Sequence, residues 1–462
     1  MRTSSIAVLL IVTFVRGAGS EELDAYGGWT DIRGQATGAF HIETINGRYV
    51  LITPAGHGFV ALGVNHLGAI KGNGPDEPDL FRTRYHNDWK EFNEELLRQY
   101  KDWGFNTVDD TVKSLRDARP YLASWNFVRT AKYYGKRGEE NPCEFPDVFD
   151  PAVKTRLERV VEGFCKQHRE SANLIAYYWT DTPTWDIHKT RRFRGTDWVS
   201  EIRRLPARST GRQRYAEFLR QRYENDIARL NRAYDLHNES FGELQTTDFS
   251  MLDLTRYEVE RDDQDFLGII ATTYYGIVGP AMRRHDPRHM VFGEKYLLGD
   301  VPPQVIKAAS PHLDAIAIQP GDGYLPIYVP GDTYPAEEIE KLHQLSEKPI
   351  FICDHQISFA TKRYPVSIWP YHQRDNEADA AAATERFLRE AFARPYILGY
   401  MRCQYIDRFS TRRNASKLGL LRDDGTPYQE LVDAMRRGNL SAKETVRDAL
   451  LGRGDIQNGD AD

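Results

Sequence analysis

The segment Lys348-Pro-Ile-Phe-Ile-Cys-Asp354-His355-Gln356 joins a short apolar run to a cluster of polar residues, and this pattern decides the fold. Such a run is typical of a strand buried on both faces, as in a parallel sheet covered by helices. Eight such runs alternate with amphipathic helical segments, which predicts a single (β/α)8 (TIM) barrel. The strands are predicted at 59–64, 107–109, 127–130, 174–179, 290–293, 315–318, 350–353 and 397–402, and the helices at 89–103, 153–168, 212–234, 265–284, 336–345 and 377–393.

The barrel is predicted to begin after a short β-hairpin. In residues 40–52, side chains alternate in the way typical of two paired strands, on either side of an Asn46-Gly47 turn. We therefore divide the chain into a signal peptide (1–20), a linker (21–36), the barrel (37–440) and a partly disordered tail (441–462). The connection 186–263 is long for one loop, so it is expected to carry helices and to shape one wall of a cleft.

Composition limits the classes of partner. Hydrophobic residues make up 40% of the 462 residues and charged residues 28%, which is globular rather than disordered. The net charge is −6, and no basic stripe suited to nucleic acid is visible. No segment has the roughly 20 apolar residues of a membrane span. Aromatic residues reach 12%, which fits a large core or a sugar cleft with stacking rings.

The first twenty residues have the layout of an export signal. Arg2 precedes the apolar run 6–15, and small residues follow at 17–20. This predicts a secreted or periplasmic protein whose signal peptide is cleaved; the alternative is an uncleaved N-terminal anchor.

The four cysteines, Cys143, Cys165, Cys353 and Cys403, match no zinc or redox spacing. No His, Asp or Glu cluster has metal-ligand spacing either, and no glycine-rich phosphate loop is present. We therefore expect no metal and no cofactor. Pairs 143–165 or 353–403 could form disulfides in an oxidising compartment, and four buried free thiols are the alternative.

Polar and aromatic residues gather directly after the predicted strands. In a barrel, this rim is where the active site is built. The other interpretation is that polar residues follow any strand because loops are polar. The residues are Asn65, His66, Asp109, Asp110, Asp181, Glu294, Lys295, Tyr296, Gln319, Asp322, Asp354, His355, Gln356 and Gln404, together with 132–134.

Three passages are similar to the β-agarases of glycoside hydrolase family 50 and, more loosely, to the β-galactosidases of family 42. The first is 37–65, which contains the hairpin and ends Ala61-Leu-Gly-Val-Asn65. The second is the tyrosine- and arginine-rich stretch 214–241. The third comprises Gly399-Tyr-Met-Arg-Cys-Gln-Tyr-Ile-Asp407, then Leu418-Gly-Leu-Leu421, then 425–431. Together they cover most of residues 37–435.

The resemblance implies a general acid/base Glu after strand four and a nucleophilic Glu after strand seven, and hydrolysis with retention. This chain departs from that pattern at both places. Strand four ends Tyr177-Tyr-Trp-Thr-Asp-Thr182, so Asp181 takes the place of the family's Asn and Thr182 that of its Glu. Strand seven ends in Asp354. A threonine hydroxyl cannot protonate a leaving group near neutral pH. Either another carboxyl has become the acid, or hydrolysis has been lost.

Candidate catalytic residues are Asp354 as nucleophile, with Asp181 or Glu294 as displaced acid. The alternatives are a capping role for each aspartate and an ion pair for Glu294, with Lys295 or a nearby arginine. Asp181 could also accept a sugar hydroxyl. The candidate substrate-binding residues are Asn65, His66 and Gln404, from the resemblance; Asp110, which follows strand two; and Trp179, Trp185 and Tyr324, as stacking rings or as core residues.

These observations predict a secreted glycoside hydrolase that cleaves a β-galactan or related polysaccharide. The alternatives are a barrel that binds glycans without cleaving them and a polysaccharide-active barrel enzyme with different chemistry, because a fold alone does not determine function. The predicted partner is an oligosaccharide or polysaccharide; the oligomeric state stays open.

The export signal makes one direct prediction. Because cleavage follows the small residues at 17–20, mature protein from the native host is expected to start near residues 19–22. N-terminal sequencing measures this start, and mature material that retains Met1 would contradict the prediction.

Overall fold

The computed structural model describes residues 22–72, 79–127, 145–181, 185–299, 301–320, 334–361, 373–408 and 418–453. The signal peptide predicted at 1–20 lies outside these ranges. The chain starts with a four-stranded antiparallel sheet in the order β1-β4-β3-β2. Its strands are β1 (Trp29–Arg33), β2 (His41–Ile45), β3 (Arg48–Ile52) and β4 (His57–Phe59).

The predicted hairpin is the β2–β3 pair of this sheet. Asn46 and Gly47 have φ angles of 50° and 75°, as its two-residue turn requires. Phe40, Leu51 and Phe59 belong to one buried apolar cluster with side chains from the barrel strands. The sheet therefore closes the barrel at the end where the strands begin. Strand β1 lies in 21–36, the segment expected to be a linker.

Eight parallel strands close into a barrel, which confirms the predicted fold class. Their order around the barrel follows the chain, with β14 pairing back onto β5. The strands are β5 (Ala61–Val64), β6 (Thr107–Asp109), β7 (Tyr121–Ser124), β8 (Leu174–Asp181), β9 (Met290–Leu297), β10 (Ile316–Gln319), β11 (Ile350–His355) and β14 (Ile397–Arg402).

The third barrel strand differs from the prediction. It is β7, whereas the sequence pattern placed it at 127–130, of which 128–130 lie outside the described residues. Strand β7 is four residues long and includes Ala123 and Ser124, which have weak strand preference. Phe127 and Val128 carry the stronger local signal. Pairing of β7 with β6 and β8 overrides that preference.

Helices cover the outside of the barrel. Aspartates or asparagines cap several of them by accepting a backbone N–H, as at Asp88, Asp150 and Asn376. The helices are α1 (Leu80–Thr83), α2 (Trp89–Trp103), α3 (Lys113–Arg116), α4 (Pro151–His168), α5 (Ile187–Arg194), α6 (Trp198–Arg204), α7 (Thr210–Arg222), α8 (Ile227–Tyr234), α9 (Tyr257–His285), α10 (Pro303–Ala309), α11 (Ala336–Ser346), α12 (Glu377–Phe392) and α13 (Gln429–Leu450).

Three further features complete the architecture. The connection 186–263 carries α5 to α8, as expected, and Arg203 of α6 is joined to α9 by a buried ion pair with Asp263, 2.5 Å apart. Short strands β12 (Ser358–Phe359) and β13 (Gln373–Arg374) pair with each other. Helix α13 runs through 441–450, the start of the predicted tail.

No helix among the described residues has the length and apolarity needed to cross a bilayer.

Strand β9 carries a bulge that decides which side chains enter the barrel. Tyr177 and Tyr178 are consecutive in β8, yet they pair with Val291 and Gly293, so β9 has one extra residue there. Gly293 has a φ of 77°, a left-handed conformation that glycine adopts without steric cost. An extra residue reverses the alternation of side chains beyond it. The side chain of Lys295 consequently points into the barrel.

Replacing Gly293 by alanine tests this bulge. An L-residue at this φ costs about 1–2 kcal/mol, and the new Cβ would lie 2.7 Å from Leu313 Cδ1. We expect Gly293→Ala to lower the unfolding free energy by at least that amount in urea denaturation. Gly276→Ala is the matched control, because Gly276 is an exposed residue of α9 with open space around its Cβ. Equal stability of the two variants would contradict the prediction.

Candidate active site

The carboxyl ends of the barrel strands bring polar side chains to one rim, as predicted. Asn65 and His66 follow β5, Asp110 follows β6, and Asp181 ends β8. The other half of the rim is supplied by Lys295 of β9, Gln319 of β10, Asp354 of β11, and Cys403 and Gln404 after β14.

Asp354 is buried and held by two neighbouring side chains. Only 5% of the residue is exposed. Asn65 Nδ2 donates to Asp354 Oδ1 at 2.5 Å and to the carbonyl oxygen of Cys353 at 2.6 Å. Lys295 Nζ donates to Asp354 Oδ2 at 3.1 Å. Burial raises the pKa of Asp354, and the positive charge of Lys295 opposes that shift. Two predicted site residues, Asn65 and Asp354, are thus in direct contact.

Asp181 lies on the same part of the rim and is exposed. Gln319 Nε2 donates to its Oδ1 at 3.2 Å and also to the Lys295 carbonyl oxygen at 3.1 Å. Although burial lowers the pKa of Lys295, the negative charges of Asp354 and Asp181 raise it above its ordinary value. One ammonium group therefore interacts with both carboxylates, from strands four and seven.

Sequence reasoning missed Lys295 as a site residue. The sequence offered an ion pair with Lys295 or a nearby arginine only as the alternative role of Glu294, whereas in the structure Lys295 is paired with Asp354. The signal that could have found it is Gly293, since a glycine in a strand interior often marks a bulge. Beyond such a bulge, the inward position moves from Glu294 to Lys295.

Glu294 lies away from Asp354 and Asp181, on the outer side of β9. It is fully buried and accepts hydrogen bonds from Trp185 Nε1 at 2.7 Å and from the Tyr275 hydroxyl of α9 at 2.6 Å. Burial raises its pKa to about 7, and the hydrogen bonds from Tyr275 and Trp185 oppose the shift. The described structure does not bring this carboxyl together with the other two.

The predicted stacking rings have different surroundings. Trp179 packs against Tyr275 with ring centroids 5.7 Å apart, and Trp185 stacks on Trp198 at 4.7 Å. Trp179 and Trp185 are 0% and 1% exposed, so these positions favour the core-packing interpretation. Tyr324 lies outside the described residues, as does Thr182.

The remaining predicted residues lie on the rim. Burial, together with the positive charges of Arg408 and Lys295, lowers the pKa of His66 to about 4. Asp110 accepts the Ser124 backbone N–H at 2.9 Å, and burial raises its pKa to about 6. Gln404 Oε1 accepts two hydrogen bonds from the Arg408 guanidinium, at 2.9 and 2.6 Å.

One cluster on the rim has the donor set of a metal site. His66, Asp354 and Cys403 each offer a ligand atom, and these atoms lie within 4.8 Å of one another. Cys403, Cys353 and Cys165 are free buried thiols. The structure therefore has no 353–403 disulfide, and Cys143 lies outside the described residues.

The buried carboxyl of Glu294 predicts a pH-dependent stability. Its folded-state pKa of about 7 lies above the ordinary glutamate value of 4.5. The folded protein therefore keeps a proton that the unfolded chain has released, and stability falls as the pH rises from 4.5 towards 7. The loss is roughly 3 kcal/mol at most.

Because glutamine cannot ionise, Glu294→Gln is expected to gain stability relative to the original protein as the pH rises. Urea unfolding of both proteins at acidic and at alkaline pH measures this difference. A difference that stays constant with pH would show that Glu294 does not titrate in this way.

The chain resembles known proteins in sequence and in fold. No family model matches it. It is 20% identical over 485 residues to the beta-agarase B of Vibrio sp. (strain JT0107), covering 90% of this chain and 49% of the agarase, so it spans about half the length of this curated relative.

Solved structures with a similar fold include two glycoside hydrolases. PfGH50B superposes with a TM-score of 0.74 at 18% identity, covering 92% of this chain and 69% of that one. A beta-galactosidase from the psychrophilic Marinomonas ef1 has a TM-score of 0.52 at 13% identity, covering 78% of this chain and 58% of that one. The proteins that the chain resembles are glycoside hydrolases. Its resemblance is to the β-agarases of glycoside hydrolase family 50 and, more weakly, to β-galactosidases.

Proposed function

We propose that this protein is an exported glycoside hydrolase that cleaves a β-galactan or related polysaccharide without a cofactor. The observation that carries the proposal is the buried carboxylate of Asp354, anchored at the end of the seventh barrel strand by Asn65 and Lys295. The names of beta-agarase B and of the beta-galactosidase support galactose-containing polymers as the substrate class.

Asp354 has the position and the support of a nucleophile. Its oxygen forms a bond to the anomeric carbon while the bond from that carbon to the leaving oxygen breaks. The hydrogen bond from Asn65 and the ion pair with Lys295 fix its orientation, which lowers the entropic cost of attack.

Asp181 is the second carboxyl of the proposed reaction. It is exposed, so a sugar in the cleft can reach it, and it interacts with the same lysine as Asp354. It gives its proton to the leaving oxygen in the first step. In the second step it takes a proton from the water that attacks the anomeric carbon and releases Asp354. Glu294 is not assigned this role, because Trp185 and Tyr275 enclose it behind β9.

The other rim residues bind sugar. Asn65 and His66 lie beside Asp354, and Asp110 and Gln404 follow strands of the same rim, so these polar groups are suited to hydrogen bonds with pyranose hydroxyls. Tyr324 is proposed to stack on a sugar face. Trp179 and Trp185 support the wall that carries these residues, through their contacts with Tyr275 and Trp198.

A non-catalytic glycan-binding protein is the second candidate, and the Lys295–Asp354 ion pair favours it. A positive charge 3.1 Å from the carboxylate weakens its nucleophilicity. Thr182 supplies no acid in the place where the resembled family has one. A site with this charge arrangement can bind hydroxyl groups without cleaving the bond between sugars.

Paired substitutions test the proposed reaction. Asp354→Asn is expected to lower kcat by on the order of 10³-fold or more. Asp181→Asn is expected to lower it by about 10²–10⁴-fold on polysaccharide. Asp181→Asn should lose much less on aryl glycosides with activated leaving groups, which need little protonation. Release of reducing ends from a panel of marine and plant polysaccharides measures the activity.

The control is Asp235→Asn, which removes a carboxylate from an exposed residue at the end of α8 and should leave turnover unchanged. Unchanged turnover in Asp354→Asn would contradict the assigned nucleophile. Sugar binding by the unmodified protein without release of reducing ends from any polysaccharide would overturn the hydrolase proposal in favour of the binding protein.

A further inference from the structure

Three neighbouring barrel strands bring an imidazole, a thiol and a carboxylate together. Strand β14 pairs with both β11 and β5, so the ends of these strands are adjacent. Asp354 belongs to β11, Cys403 directly follows β14, and His66 lies two residues beyond β5. Their ligand atoms all lie within 4.8 Å of one another. Rigid strands rather than long loops position the three groups, which favours a preformed site.

His66 and Cys403 have side-chain atoms available for a ligand. Within the described residues, no hydrogen bond involves either ring nitrogen of His66 or the Sγ of Cys403, which is a free and buried thiol. His66 also has a left-handed backbone conformation with a φ of 61°, which is uncommon for residues other than glycine. Residues held in this conformation cluster at ligand sites.

Asp354 is already oriented by an outer partner. Asn65 donates to its Oδ1, and each carboxylate oxygen has two lone pairs, so a metal can share this oxygen. Hydrogen-bonded partners of this kind orient the ligands of metal sites.

The formal charges of the three ligands, Asp181 and Lys295 sum to zero when a divalent cation binds, and Arg408, which also acts on His66, lies outside this sum. In the form with both aspartates ionised, before a sugar is bound, Asp354, Asp181 and Lys295 together carry a charge of −1. Cysteine coordinates as a thiolate, so Cys403 would release one proton to solvent when the metal binds. The added charge is then +2 from the metal and −1 from the thiolate, and the group becomes neutral. Repulsion by Lys295 Nζ, 3.1 Å from Oδ2, is offset by the new thiolate.

We propose that His66, Cys403 and Asp354 form a binding site for one divalent cation that accepts mixed nitrogen, sulfur and oxygen ligands, with zinc(II) as the representative ion. Three protein ligands leave one tetrahedral position open, as in zinc sites that also bind water or a substrate. Tetrahedral zinc holds its ligand atoms roughly 3.3–3.8 Å apart, so small side-chain rotations have to close the remaining gap.

A cation at this site would occupy the carboxylate that the proposed hydrolase uses as its nucleophile. We therefore infer that the cation inhibits hydrolysis by competing for Asp354. This regulatory consequence rests on the proposed function, whereas metal binding itself does not.

Cobalt(II) titration of the tag-free full chain, after dialysis against a chelator, tests the site. Binding through Cys403 is expected to produce a thiolate-to-cobalt charge-transfer band in the near ultraviolet, with one cobalt per chain. Zinc(II) should abolish the band by competition. Cys403→Ser should remove the band, and His66→Gln should weaken binding by at least about tenfold.

Cys165→Ser is the matched control. Cys165 is also a free buried thiol, but it lies on α4, where its Sγ contacts Met282 Sδ at 3.8 Å. This variant should keep both the band and the stoichiometry. Circular dichroism of each variant separates loss of the ligand from loss of the fold. Absence of stoichiometric binding, or a band that persists in Cys403→Ser, would overturn the metal site.

The two proposals fail in distinguishable ways. Stoichiometric cobalt binding by a protein that releases no sugar supports the metal site and refutes the hydrolase. Turnover that zinc does not alter, in a protein that shows no cobalt band, supports the hydrolase and refutes the metal site. Turnover that zinc leaves unchanged at saturating, stoichiometric binding refutes competition for Asp354.

Discussion

A lysine buried inside a barrel has to be paired, and the pair between Lys295 and Asp354 determines how the rim of this barrel is arranged. The two residues are 6% and 5% exposed. Removing either partner from a buried pair leaves an uncompensated charge and costs about 3–5 kcal/mol. The pair spans β10, because Lys295 belongs to β9 and Asp354 to β11. It therefore links the strand that ends in the candidate nucleophile to the half of the barrel that carries Asp181.

The same strand shows how consecutive residues come to occupy two environments. Lys295 points into the barrel, whereas Glu294 points towards α9, and both are buried. Lys295 is paired with a carboxylate, whereas one oxygen of Glu294, Oε2, accepts hydrogen bonds from Trp185 and Tyr275. The bulge at Gly293 makes this division possible. Without it, the alternation along β9 would direct the acid inwards and the lysine into the helical layer.

The barrel itself could be predicted from sequence, because its eight strands share one pattern. Misplacing one of these strands does not change the predicted fold. The third strand is that error, since Ala123 and Ser124 of β7 have weak strand preference and Phe127 and Val128 carry a stronger local signal. Asn65 and Asp354 could each be placed at a strand end from sequence, but their hydrogen bond is known only from the structure. The inward position of Lys295 could not be predicted, because it depends on one extra residue in the pairing of β9 with β8. The cluster of His66, Asp354 and Cys403 matches no sequence motif, because the three residues come from the ends of three strands that are far apart in the sequence.

Lys295 also affects the charge balance of the proposed reaction. In this chain, two aspartates beside the lysine act where the resembled family uses two glutamates. A carboxylate that becomes a glycosyl ester loses its negative charge, and the buried ammonium beside it then needs another partner. In the proposed first step Asp181 gives up a proton as Asp354 becomes neutral, so the negative charge moves from one aspartate to the other. Because Lys295 interacts with both groups, it is compensated before and after the step. Strong pairing with Asp354 alone would oppose the reaction. The shared lysine instead keeps the net charge of the three groups constant, which limits the electrostatic reorganisation that a buried site has to perform.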